Sequence, residues 1–95
     1  MKSDKKYRIY GIFDKKTGEM IYVGQTMQTL LSRWQYHTGW ESEFNETLIN
    51  TFMRHNGGYE RYEIELIKLC KTHIDMMEWE NHLILECSPT CNKKC

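Results

Sequence analysis

A glutamate on the apolar side of a helix is the strongest chemical signal in this sequence. Advanced at about 100° per residue, the segment His73–Glu86 with Cys87 gathers Met76, Met77, Trp79, Leu83, Ile84 and Cys87 on one side. Asp75, Glu78, His82 and Glu86 fall opposite. Glu80 does not join them; it projects from the apolar side, between Cys87 and Ile84. A carboxylate there is costly unless it is paired, hydrogen-bonded or bound to a metal. A salt bridge to a nearby Arg, or emergence of that face at an edge, would equally account for it.

Arg33 and His37 stand four residues apart, neighbours on one helix ridge beside the stripe of Leu30, Leu31 and Trp34. Arg suits a phosphate, and His suits proton transfer near neutral pH. Tyr10 and Tyr22 fall in two strand-like runs. Tyr10 shares a face with Arg8 and Ile12, and Tyr22 with Met20 and Gly24. A Gly inside a strand marks a bend or a close backbone approach. Each residue alone is as easily a surface or packing residue, so the elements must decide whether they meet.

Those elements are legible. Tyr7–Phe13 (YRIYGIF) and Met20–Thr26 (MIYVGQT) are rich in β-formers and flank the polar turn Asp14–Gly18, which predicts a hairpin. Leu30–His37 predicts a short amphipathic helix. Glu43–His55, with Phe44, Leu48, Ile49, Phe52 and Met53 at helical spacing, predicts a second, stopped by Asn56-Gly57-Gly58. In Tyr59–Cys70, Tyr62, Ile64 and Leu66 alternate with charged residues, the pattern of a half-buried strand. Thr72-x-x-Asp75 opens the last helix, His73–Glu86, and Pro89 breaks the tail. The order β-β-α-α-β-α predicts an α+β fold: a small three-stranded antiparallel sheet flanked by helices.

The 95 residues fit one domain, and the composition is that of a globular chain. No apolar run approaches the roughly 20 residues of a membrane span, and the charged N-terminus lacks a signal-peptide pattern, so no membrane partner and an intracellular location are expected. Charge is asymmetric. Residues 1–40 carry seven basic and three acidic residues, and residues 41–95 carry six basic and ten acidic. A basic first half can face a polyanion. The spacing Cys87-x3-Cys91-x3-Cys95, with His73 or His82 upstream, suggests zinc, but structural zinc sites favour tighter CxxC knuckles.

The chain resembles the GIY-YIG nuclease domain over essentially its whole length. Tyr22-Val23-Gly24 matches the second motif. Arg8-Ile9-Tyr10 is a degenerate first motif, with Arg8 at the family's Gly position. Arg33-Trp34-Gln35-Tyr36-His37 matches an Arg-x-x-x-His helix, Glu80-Asn81-His82-Leu83-Ile84 the late helix with its Glu, and Pro89-Thr90-Cys91-Asn92 the ending. Phe52–Gly57, with His55, is similar to the central stretch.

The resemblance implies DNA cleavage assisted by one divalent metal, Mg²⁺ with Mn²⁺ as a possible substitute, and Glu80 as its protein carboxylate. It implies that Arg33 holds the scissile phosphate, that Tyr10 acts on the attacking water, that His37 relays its proton or orients it, and that Tyr22 bonds the phosphate or water. Arg8, Lys15, Lys16, Gly24, His55 and Asn92 are the expected DNA-facing residues, Asn92 also steadying the Glu80 end. One active site makes nicks with little base readout. A double-strand break would need a homo-oligomer, a second visit or another DNA-binding protein. The alternative is a catalytically inactive DNA-binding or protein-interaction module on the same fold.

Overall fold

The structure, a computed structural model, describes residues 7–38 and 48–92. The expected helix start over residues 43–47, Lys2, Lys5, Lys6 and Cys95 lie outside the described residues.

Strand β1 (Tyr7–Asp14) is central. It pairs antiparallel with β2 (Met20–Thr26) on one side and with β3 (Tyr62–Cys70) on the other. Helices α1 (Leu30–Thr38) and α2 (Leu48–His55) follow β2, and α3 (His73–Cys87) follows β3. Short 3-10 turns occupy Tyr59–Arg61 and Thr90–Asn92. The predicted α+β architecture and element order are those observed. The third strand, however, begins at Tyr62, because Tyr59–Arg61 winds into the 3-10 turn after the positive-φ pair Gly57 and Gly58.

Residues Ile9–Ile12 are all buried because helices cover both faces of the sheet. Tyr10, Ile12 and Ile21 pack with Ile49, Met53, Tyr62 and Cys91, with Leu30, Trp34 and Phe52 at the margin. Ile9, Val23 and Cys70 pack with Met76, with Leu83 and Ile84 at the margin.

Two irregularities correct the strict alternation read from sequence. The β1–β2 register slips between Ile12 and Phe13, so Ile12 faces Tyr22 but Phe13 faces Met20. The extra residue sends Met20 to the α3 side and Ile21 to the Tyr10 side, so Tyr22 does not share a face with Met20. A second slip between Ile9 and Tyr10 skips Ile67 on β3 and leaves Leu66 and Leu69 about half exposed. On the helices, Leu31, Leu48, Met77 and Trp79 are also exposed, so each apolar stripe is narrower than its periodicity suggests.

One ion pair closes the hairpin end of the sheet. Arg61 reaches Asp14 Oδ2 with Nη2 at 2.7 Å and Nε at 2.9 Å. Asp14 Oδ1 accepts the backbone N–H groups of Lys16 (2.8 Å) and Thr17 (3.3 Å). The hydrogen bond from Arg61, with those turn amides, holds the Asp14 carboxyl down to about 2.

Candidate active site

Tyr10 sits mid-strand on β1, opposite Gly24 of β2. A Cβ on Gly24 would collide with the Tyr10 hydroxyl end and would lie 2.8 Å from Tyr22 Cε2. The missing side chain is what lets the Tyr10 phenol cross the neighbouring strand. Tyr22 lies beside it, the two ring centroids 6.1 Å apart.

Helix α1 brings the nitrogen groups. Its first turn is fixed by Thr29, whose hydroxyl accepts Ser32 N–H (3.1 Å) and whose carbonyl accepts Arg33 N–H (3.0 Å). One turn on, Arg33 Nε donates to Tyr10 Oη at 3.1 Å, and His37 Nε2 lies 2.9 Å from the same oxygen. Arg33 can only donate, so Tyr10 accepts there. The direction of the His37 contact follows the imidazole tautomer: as the Nδ1–H form, Nε2 accepts the Tyr10 proton, and as the Nε2–H form it donates to Tyr10 Oη, whose proton then turns to Tyr22. Nδ1 is buried without a hydrogen-bond partner among the described residues.

The electrostatics follow from enclosure. Burial, then the Arg33 charge, pulls the His37 imidazole down to about 4, so it is neutral at pH 7. Burial, with Tyr22 adding to it, pushes the Tyr10 phenol well above its ordinary value despite Arg33. Tyr22 is likewise raised, first by burial; Arg33 lowers it and Glu80 raises it.

Glu80 projects from α3, half-buried, and burial raises its carboxyl. Its charge adds to the rise of the Tyr22 phenol. Among the described residues no cation or hydrogen-bond donor meets it, and no cluster of three or more His, Cys, Asp or Glu is assembled to hold a metal. The salt bridge weighed above is thus not formed. A lone, half-buried oxygen ligand fits Mg²⁺, which binds through one or two carboxylates and keeps several waters. Of the cysteines weighed for zinc, Cys91 is buried in the core and Cys87 is exposed.

The remaining expected residues lie elsewhere. Arg8 Nη1 donates to the carbonyls of Gln28 (2.9 Å) and Met27 (3.4 Å), tying the β2–α1 connection to β1. Lys15 and Lys16 are exposed at the hairpin tip, and His55 is exposed at the end of α2. Asn92 bonds the backbone of Val23. Among the described residues, none of these side chains makes a hydrogen bond, ion pair or ring contact with Tyr10, Tyr22, Arg33, His37 or Glu80. Gly24, by contrast, lies directly beneath Tyr10.

Two contributors escape the sequence reading. Asn50, 1% exposed, donates through Nδ2 to the His37 carbonyl (2.7 Å) and to Tyr59 Oη (2.9 Å), and its Oδ1 accepts Arg54 Nε (3.1 Å). It holds the end of α1 against α2. Its only sequence signal is its place at the margin of the α2 apolar stripe. Tyr36 lies under the Arg33 guanidinium, with Cζ 4.5 Å from the ring centroid. Its spacing, three residues from Arg33, is readable.

No helix among the described residues is long and apolar enough to cross a membrane. Neither the curated proteins nor the solved structures yield a significant match to this chain. The family model described as the GIY-YIG catalytic domain, a domain of endonucleases, matches residues 6–94, nearly the whole chain. With the sheet, the motif tyrosines and the Arg33–His37 helix already in hand, that match settles the family: this chain belongs to the GIY-YIG catalytic domain family.

Proposed function

We propose that the chain, as a single domain over residues 1–95, is a divalent-metal-dependent endonuclease that nicks DNA with little sequence preference. The observation that carries this is the hydrogen-bonded chain Arg33–Tyr10–His37, together with a half-buried Glu80 carboxylate that has no protein partner among the described residues.

Arg33 binds the scissile phosphate through the guanidinium N–H groups that Tyr10 does not engage, and it meets the charge that grows on the phosphoryl oxygens. Tyr10 Oη takes a proton from the attacking water while its own proton passes to His37 Nε2, so no free phenolate has to persist. His37 is a poor acceptor in the resting protein. Phosphate on Arg33 offsets the guanidinium charge that, after burial, depresses His37, so substrate itself raises the acceptor's basicity. Tyr22 orients the water or a phosphate oxygen beside Tyr10. Glu80 holds the cation, Mg²⁺ or Mn²⁺. When bound, that ion supplies Lewis-acid stabilisation of the leaving oxygen. Lys15, Lys16 and the exposed His55 extend contact along the DNA backbone.

A supercoiled plasmid incubated with Mg²⁺ tests the proposal. Nicked circles should accumulate with the native chain and be lost with Glu80→Ala and Arg33→Ala, both variants remaining folded. Full activity in Glu80→Ala overturns the metal assignment. DNA binding without cleavage in Mg²⁺ or Mn²⁺ would instead identify a non-catalytic module.

A further inference from the structure

A guanidinium that must receive a phosphate faces a design conflict. It has to be held still, yet a carboxylate partner would neutralise its charge and repel the incoming anion. Among the described residues Arg33 has no carboxylate partner; the ion pair formed there joins Arg61 to Asp14. What Arg33 has is a phenol oxygen on Nε, at 3.1 Å, and an aromatic face beneath Cζ, at 4.5 Å. Both terminal amino groups are left without a hydrogen bond among the described residues.

We propose, on the reading that Arg33 receives the substrate phosphate, that Tyr36 is a positioning residue whose ring fixes the Arg33 guanidinium so that Nη1 and Nη2 are presented together to that anion. Three observations carry this. Tyr36 follows Arg33 by three residues on α1, where side chains of a helix meet. It is 40% exposed and belongs to neither core cluster. Its ring also stands edge-on to His37, with centroids 5.5 Å apart and planes at 72°, which anchors it from the other end of the network. The quadrupole of an aromatic face attracts a cation without cancelling its charge or occupying its donors. A flexible side chain held in this way has less freedom to lose when substrate arrives. Among the described residues the groups facing His37 are Tyr10, Tyr22, Tyr36 and Arg33. Movement of Arg33 therefore registers at His37 as well as at the phosphate.

Tyr36→Phe and Tyr36→Leu, made in the full chain, test this with two readouts. In Mg²⁺-dependent plasmid nicking, Tyr36→Leu should lower kcat by about 3- to 30-fold, the range of an exposed to a desolvated cation–aromatic contact, and Tyr36→Phe should stay within about twofold of the native chain. In an NMR titration of the imidazole, Tyr36→Leu should raise the His37 midpoint, because the released guanidinium no longer depresses it, and Tyr36→Phe should leave it in place. If Tyr36→Leu does not fold, Tyr36→Gln carries the same expectation. Unchanged nicking and titration in Tyr36→Leu overturn the proposal. So does lost nicking with His37 unmoved, or a loss in Tyr36→Phe equal to that in Tyr36→Leu. A native chain that nicks no DNA, while Tyr36→Leu alone moves the His37 midpoint, removes the nuclease reading and leaves the Tyr36–Arg33 relationship standing.

Discussion

Asn92 pairs with Val23 as a neighbouring strand would. Its Oδ1 accepts the Val23 N–H at 2.6 Å and its Nδ2 donates to the Val23 carbonyl at 2.9 Å. β2 is an edge strand, and these backbone groups point away from β1. One side chain thus closes part of an open edge and anchors the turn after α3. Asn92→Ala should lower the unfolding free energy by about 1–3 kcal/mol, the cost of leaving partly buried backbone groups unpaired. Urea denaturation measures it, and an unchanged midpoint would count against this role.

Glu80→Gln should separate stability from catalysis. The Glu80 carboxyl is raised in the folded chain, so without metal the ionised form opposes folding above its folded-state pKa, and stability recovers as pH falls through it. The amide removes that opposition. Glu80→Gln should therefore melt no lower than the native chain at pH 7 in chelator, yet gain nothing from added Mg²⁺ and nick no plasmid. A native melting temperature insensitive to Mg²⁺ would argue against metal binding at Glu80.

His37 predicts an acid limb of stability. Its ordinary value of 6.5 falls to about 4 on folding, so the unfolded chain binds more protons between those values. The His37 contribution is complete above about pH 6.5 and is lost as pH falls toward 4. At about 1.4 kcal/mol per pKa unit, the total is at most about 3.5 kcal/mol. Asp14 loses its contribution in a lower window, from 3.8 toward 2, and Glu80 acts with the opposite sign. The difference between native and His37→Gln denaturation curves over pH 4–7 isolates the imidazole; parallel curves would refute the shift.

Gly24→Ala should disable the Tyr10 hydroxyl. The added methyl meets Tyr10 Oη and Cζ, and the ring cannot retreat because Tyr10 is fully buried. A cost of about 1–3 kcal/mol in stability is expected from such overpacking, with nicking reduced at least tenfold because the contacts to Arg33 and His37 are displaced. Native-like nicking in this variant would show that the phenol need not sit where it does.

The sequence makes the framework readable where local rules suffice. The β-forming runs Tyr7–Phe13 and Met20–Thr26 give the hairpin, and the four-residue spacing of Arg33 and His37 gives one helix ridge; that Tyr10 meets that ridge comes from the family resemblance and not from periodicity. Reading fails where a contact spans the chain or a strand skips a residue. Arg8 reaches carbonyls 19 and 20 residues on, and Asn92 reaches a backbone 69 residues back. No local pattern encodes either. The slip beside Ile12 sends Met20 to the α3 side, an outcome that period-two reasoning cannot produce. Asn50 is invisible for a related reason: its buried amide donates to the His37 carbonyl and to Tyr59, and both belong to other elements.

The placement of Tyr10 on the middle strand has a kinetic meaning. β1 is hydrogen-bonded on both sides and covered on both faces, so its amides should be among the slowest in the molecule to exchange with deuterium. Arg33 and His37 ride instead on a nine-residue helix whose outer side is open to water. Local breathing of that helix would part the guanidinium and imidazole from the phenol while the strand beneath stays shut, and amides of α1 should then exchange faster than those of β1.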